Sequence, residues 1–181
     1  MYKKLNKKNG FTLIELMIAI AVISILSGVM LPDILKMITN HKLKSSAKDL
    51  YSNMQKVRFQ AINQNETVAL AFTAVAFSPA GGVGSYQIFI DNGVGGGTAN
   101  DLIQNGAEPT LKTVTMLRSV SLVTAAFSGT SSAGFNSRGL PARSRFGNVV
   151  LQNQGTWYKI TLSIAGNLKL EISNDGATWK L

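Results

Sequence analysis

The sequence has no cysteine and a single histidine, His41. The first absence excludes a disulfide framework, a thiol nucleophile, a CxxC redox pair and thiolate metal ligation. The second rules out a multi-histidine metal centre and confines any Ser-His-Asp arrangement to His41, which sits beside lysines and reads as a solvated polar residue. Acids are also scarce: nine Asp and Glu stand against eighteen Lys and Arg, a formal net charge of +9. No phosphate-binding glycine loop leads into a helix. Neither an enzymatic activity nor a cofactor is expected from such a set.

The positive charge is unevenly placed. Lys3, Lys4, Lys7 and Lys8 precede the first apolar run and supply four of the nine net charges, so the rest of the chain carries only +5. That balance permits contact with anionic lipid or nucleic acid without demanding either. At 181 residues the chain suits one globular domain plus an appendage.

Residues 11–31, FTLIELMIAIAVISILSGVML, form a nearly unbroken apolar stretch. A helix needs about 20 such residues to cross a hydrocarbon core about 30 Å thick, so this stretch reads as a membrane span. The lysines ahead of it would keep the N-terminus cytoplasmic by the positive-inside rule and send the remainder outward. A cleaved secretory signal would end in small residues spaced as A-x-A, and ILSGVMLPDIL has no good match.

Glu15 is the one ionisable side chain inside the span. A carboxylate there costs about 2.5 to 3.5 kcal/mol on insertion scales and calls for a partner or a role. Complementing the positive end of its own helix is one such role. Pro32 stands where the apolar run ends; inside a helix it removes one backbone bond and crowds the carbonyl of Gly28, which predicts a kink near Gly28, unless it only marks the membrane boundary.

The run Lys7, Lys8, Asn9, Gly10, Phe11, Thr12, Leu13, Ile14, Glu15 resembles the prepilin cleavage and methylation motif of type IV pilins and type II secretion pseudopilins. The resemblance implies cleavage by a prepilin peptidase between Gly10 and Phe11, N-methylation of the new Phe11 amine, and retention of the apolar run as a filament core. It implies membrane lipid around the helix before assembly, and an inner-membrane assembly platform and other pilin or pseudopilin subunits as partners. The new amine of one subunit would meet the Glu15 carboxylate of a neighbour in a medium of low dielectric, with Phe11, Glu15 and Pro32 as the assembly residues.

Between Ile34 and Asn65 there is neither proline nor glycine, and Leu43, Ala47, Leu50, Met54, Val57 and Ala61 recur at alternating steps of four and three. That is one apolar stripe on a helix. A helix from about residue 12 to 64 would be about 78 Å long at 1.5 Å per residue. After Asn65, short runs rich in Val, Ile, Phe, Tyr and Thr alternate with Gly, Ser, Asn and Pro clusters. They predict strands at 68–72, 86–90, 113–117, 122–127, 149–151, 157–164 and 168–172, the last two a hairpin through Gly166 and Asn167.

The expected fold is α+β, a long N-terminal helix packed on an antiparallel sheet or two small sheets. Its parts are a cleaved basic leader at 1–10, a transmembrane and assembly helix at 11–31, an amphipathic stalk at 32–65 and a β-rich periplasmic head at 66–181. FNSRGLP at 135–141, GNVVL and TWYKITLSIAGNLKLEI resemble the H-type minor pseudopilins and related minor pilins of DNA uptake. Absence of cysteine disfavours major pilins whose C-terminal loop is closed by a disulfide. The implied role is a single-pass inner-membrane subunit that moves into a type II secretion pseudopilus or type IV pilus and supports protein secretion. Adhesion or motility as a type IV pilus subunit is an alternative.

DNA capture is a second alternative. Arg138, Arg143 and Arg145 lie within eight residues of one another in a Gly and Pro turn, where they are placed to engage phosphates. The final hairpin adds only Lys169, beside Glu171, where DNA-binding relatives are expected to carry more arginine. In 91–101, DNGVGGGTAND, Asp91 and Asp101 are oxygen ligands of the kind calcium takes. The spacing is not that of an EF-hand, and a flexible surface loop is the plainer expectation.

Overall fold

The structure is a computed structural model in which residues 10–181 are described, the side chain of Val29 excepted. Residues 1–9 of the expected leader lie outside the described residues. The chain divides into two compact units, Met1–Ile38 and Thr39–Leu181.

One helix, α1, runs Leu13–Gln64 and contains Pro32. Its stretches Leu13–Gly28 and Met30–Gln64 meet at a bend of 42°. The bend falls where a proline at position 32 deprives the Gly28 carbonyl of its helical donor, as the sequence predicts. Taken singly, no helix among the described residues is long and apolar enough to cross a membrane, whereas the two stretches together meet the length and composition of a span. The apolar run is therefore interrupted rather than one straight span.

The helix ends in a Schellman motif. Asn65 adopts φ 54, the left-handed conformation that asparagine tolerates. Its N–H donates to Ile62 O at 3.4 Å, and the Glu66 N–H donates to Ala61 O at 3.3 Å. Two carbonyls of the last turn are satisfied before the chain enters the first strand.

Eight strands follow: β1 Val68–Thr73, β2 Ser85–Ile90, β3 Thr110–Thr115, β4 Ser121–Phe127, β5 Ser132–Phe135, β6 Gly147–Gln152, β7 Trp157–Leu162 and β8 Leu168–Ser173. They form two four-stranded sheets, ordered β3-β2-β1-β5 and β4-β6-β7-β8. All strand pairs within the sheets are antiparallel. Of the two arrangements left open by the sequence, this is the pair of small sheets.

The stripe on α1 is the third wall of the core. Leu43, Ala47, Leu50, Met54, Val57 and Ala61 are all buried, and they join Leu70 and Phe72 of β1, Leu122 and Phe127 of β4, and Ile160 of β7 in one cluster. Phe72 stacks on Phe127 at 5.4 Å between ring centroids, which ties the two sheets together across this core. A smaller cluster of Ala69, Phe89, Leu102 and Ala142 lies apart from it, its first two members in β1 and β2 of the first sheet.

Two strands depart from the expected pattern. β5, SAGF, is short and contains glycine, so it carries no alternation to read; all four residues are buried. Gly134 is required there, since a Cβ would come within 2.9 Å of Val68 O and 2.8 Å of Leu102 Cδ2. β3 begins three residues before and ends two residues before the expected 113–117, and five of its six residues are exposed. An edge strand with little burial leaves only a faint hydrophobic signature.

Candidate functional site

Phe11 and Glu15 belong to the first turn and the residues just ahead of it. Thr12 precedes the first residue of α1 and Glu15 follows three places later. The Glu15 N–H donates to Thr12 Oγ1 at 3.3 Å, and the Thr12 N–H donates to Glu15 Oε2 at 3.5 Å. This is a capping box, T-x-x-E, and it satisfies two amide donors that the helix itself leaves unpaired. The pattern stands in the sequence ahead of an apolar run, and reading Glu15 only as a dipole partner or an assembly residue passed over Thr12.

From Phe11 onward the apolar side chains have no cover. Phe11 is 86% exposed, and Ile38, the least exposed large apolar residue among the described side chains of 11–38, still shows 45%. The polar groups inside it are satisfied locally: Ser24 Oγ donates to Ile20 O at 2.8 Å and Ser27 Oγ to Ile23 O at 2.7 Å. Such back-bonding hides hydroxyls from an apolar surrounding. Around Gly28, apart from its chain neighbours and its own turn of helix backbone, no atom lies within 4 Å of where a Cβ would be. A surface of this size and polarity needs lipid or protein over it.

The four cations of the DNA reading occupy different surroundings. Arg138 is exposed, in a turn fixed by Asn136 Oδ1, which accepts from the Arg138 N–H at 2.9 Å and the Leu140 N–H at 3.2 Å. Arg143, in the left-handed conformation, reaches Asn100 O at 3.4 Å. Arg145 donates to Ser132 Oγ of β5 at 2.7 Å. Lys169 pairs with Glu171 at 2.9 Å, and Lys159 holds the same carboxylate at 3.2 Å while lying over the Trp179 ring. The Lys169 hydrogen bond is the main reason the Glu171 carboxyl lies below its ordinary range. Two of the arginines thus tie loops and strands together, and the lysine is neutralised.

The 91–101 segment is an irregular loop whose backbone is held by carboxylates. Asp91 is buried; its Oδ1 accepts from the Asn100 N–H at 2.6 Å and its Oδ2 from the Leu102 N–H at 2.7 Å. Burial pushes the Asp91 carboxyl up from its ordinary value, against the pull of those two amides. Asp101 accepts from the Ile103 N–H at 2.8 Å and from Asn105 Nδ2 at 2.9 Å. Buried Glu108 accepts from Gly93 N–H and Asn105 N–H. The acids of this loop are spent on amide donors, and among the described residues no group of three or more His, Asp or Glu is placed to hold a metal ion. Nothing in the sequence pattern distinguished Glu108, which the fold makes the second anchor of the loop.

Comparisons with known proteins agree with this anatomy. Residues 5–31 match the prokaryotic N-terminal methylation motif, and residues 46–167 match type II transport protein GspH. The type IV minor pilin FimU of Pseudomonas aeruginosa shares the fold: one crystal form superposes with a TM-score of 0.51 at 16% identity, covering 78% of this chain and 94% of that one. A second FimU crystal form gives 0.49 at 14% identity, covering 76% and 96%. The minor pseudopilin EpsH of the Vibrio cholerae type 2 secretion system gives 0.45 at 14%, covering 71% and 95%. No curated protein sequence matches the chain. By the family match over 46–167, behind a methylation motif and an uncovered apolar helix, the chain belongs to the family of type II transport protein GspH, structural subunits of a type II secretion pseudopilus or type IV pilus.

Proposed function

We propose that the chain is a minor subunit of a type II secretion pseudopilus, made as a single-pass inner-membrane protein with a cytoplasmic N-terminus and a periplasmic head. A prepilin peptidase cuts between Gly10 and Phe11, and the exposed Phe11 amine is methylated. An inner-membrane assembly platform then moves the subunit from lipid into the filament, where its role is mechanical and no catalysis is required. The alternative of a type IV pilus rests on the same helix.

The observation that carries this reading is a single carboxylate, Glu15, within residues 11–31, whose large apolar side chains the chain itself leaves uncovered wherever they are described. The cap holds one of its oxygens by a long 3.5 Å bond. The other has room for a cation supplied by a neighbouring subunit, and a methylated amine at Phe11 is such a cation. In a water-poor bundle an unpaired acid is costly, so the pair favours one axial register of adjacent helices. The test is Glu15→Ala in the full chain. It should insert and be cleaved like the wild type yet be depleted from sheared filaments; undiminished recovery in filaments refutes the role.

A further inference from the structure

Four strands end the two sheets: β3 and β5 in one, β4 and β8 in the other. Three of these edges are covered in part by the chain's own backbone. Outside β8, Lys180 exchanges two hydrogen bonds with Ile172, at 2.8 and 2.9 Å. Outside β4, Leu122 donates to Val83 O and accepts from the Val75 N–H. Outside β5, Pro141 bridges Phe135. Such coverings hinder edge-to-edge association where they lie.

β3 differs. Among the described residues no backbone bond or bridge is formed on its outer side; every partner it has lies in β2 or beside it. The Met116 N–H donates to Gly84 O. By the alternation of an antiparallel ladder, Val114 and Lys112 turn their backbone groups toward β2, and Thr113 and Thr115 turn theirs outward. The pairing is irregular at Leu111, between Lys112 and Thr110, which blunts the first part of the edge and leaves 112–115 regular. Lys112, the charged residue that would guard it, reaches across to Asn53 Oδ1 of α1 at 3.3 Å. A groove of about 310 Å³ lies between that part of α1 and β3, lined by Ser52, Lys56, Lys112 and Val114 among others.

We infer that the open edge of β3 is a docking surface for an extended strand from the head of a different, less basic pilin-like subunit, added antiparallel or parallel along Thr113 and Thr115. Backbone bonds supply the attachment, and every second side chain of the incoming strand enters the groove beside α1. The partner is a pilin-like subunit because the family builds filaments, so the inference rests on that reading. It is a different subunit because the unit from Thr39 to Leu181 carries thirteen Lys and Arg against seven Asp and Glu, a formal +6 that repels a second copy.

The test uses the full chain in membranes that assemble the filament, with a photo-reactive phenylalanine analogue in place of Leu117, which is exposed just past β3. Proline at an edge position removes an outward N–H while sparing the ladder. The expected result is an adduct with another pilin-like subunit, mapped to one of its strands. Thr113→Pro and Thr115→Pro should each lower its yield about fivefold or more, and Thr113→Val should leave it unchanged. An adduct insensitive to both prolines, one formed only with a second copy, or none at all from chain recovered in filaments would overturn the inference and leave the filament reading standing. Failure of the wild-type chain to enter filaments overturns that reading and the inference together. If a proline variant does not accumulate, the mapped site of the Leu117 adduct decides: a strand supports the proposal, any other segment overturns it.

Discussion

Thr12 and Glu15 hold each other's backbone amides at the start of α1, so the acid has a structural duty in the single subunit before any neighbour arrives. The two duties separate by substitution. Glutamine at the third helical position completes a capping box as well as glutamate does but carries no charge. Thr12→Val removes the cap, at a cost of about 1 kcal/mol to the helix start, and keeps the charge. Glu15→Gln should therefore enter filaments poorly and Thr12→Val nearly normally, read as the subunit recovered in sheared filaments relative to membranes.

Asp91 and Asp101 look alike in sequence and differ in what they hold. Asp91→Ala takes the carboxylate from two amides, leaving Asn100 N–H with only its 3.4 Å bond to Asp91 O and Leu102 N–H with none of the carboxylate's support, beside the fully buried Leu102. A loss of about 2 to 4 kcal/mol in head stability is expected, with faster proteolysis at 92–108. Asp101→Ala should cost about 1 kcal/mol or less, since one of its two donors is at an exposed loop position. Thermal melts of the full chain in detergent compare the two.

Glu171 gives the head an acid-sensitive contribution. Lys169 and Lys159 hold its carboxyl below the ordinary 4.5, so the folded state favours the ionised form. That stability is present above the unfolded value and lost as pH falls through the lower folded one. Wild type should outlast Glu171→Gln by a constant margin above about pH 5.5, with the margin shrinking below about pH 4.5. Asp91 acts with the opposite sign: its raised carboxyl gains stability as pH falls toward the ordinary value and loses it as pH rises through the folded one.

Arg58 reaches across the head to the β7–β8 turn, where its Nη1 donates to Gly166 O at 3.1 Å. Gly166 is at φ +81, and a Cβ there would lie 2.9 Å from Gly139 O. Gly166→Ala should lower stability by about 1 to 2 kcal/mol through strain, and Arg58→Met by about 1 to 3 kcal/mol through the orphaned carbonyl. Because both act on one contact, their double mutant should lose less than the two effects combined.

Regular, strongly patterned segments were legible in the sequence, and segments organised by distant partners were not. The stripe from Leu43 to Ala61 named the buried apolar positions of α1, though not buried Asn53 beside them, because a helix repeats its contacts every three or four positions. β7 was as plain, its burial alternating without a break. β5 has no local signature, since its Gly134 is required by Val68 and Leu102, which are remote in sequence. Arg145 read as a surface cation since nothing nearby announces Ser132, and Glu108 read as nothing at all because its donors, Gly93 and Asn105, arrive only when the loop closes. The Thr12 cap is a different case, a local signal overshadowed by the stronger meaning of its neighbours.

The most direct measurement is the mass and N-terminal sequence of the chain recovered from assembled filaments. The expected result is a chain that begins at Phe11 and carries one methyl group on that amine. Filaments built from chains that still carry residues 1–10 would contradict it, since Glu15 would then have no cationic terminus to meet.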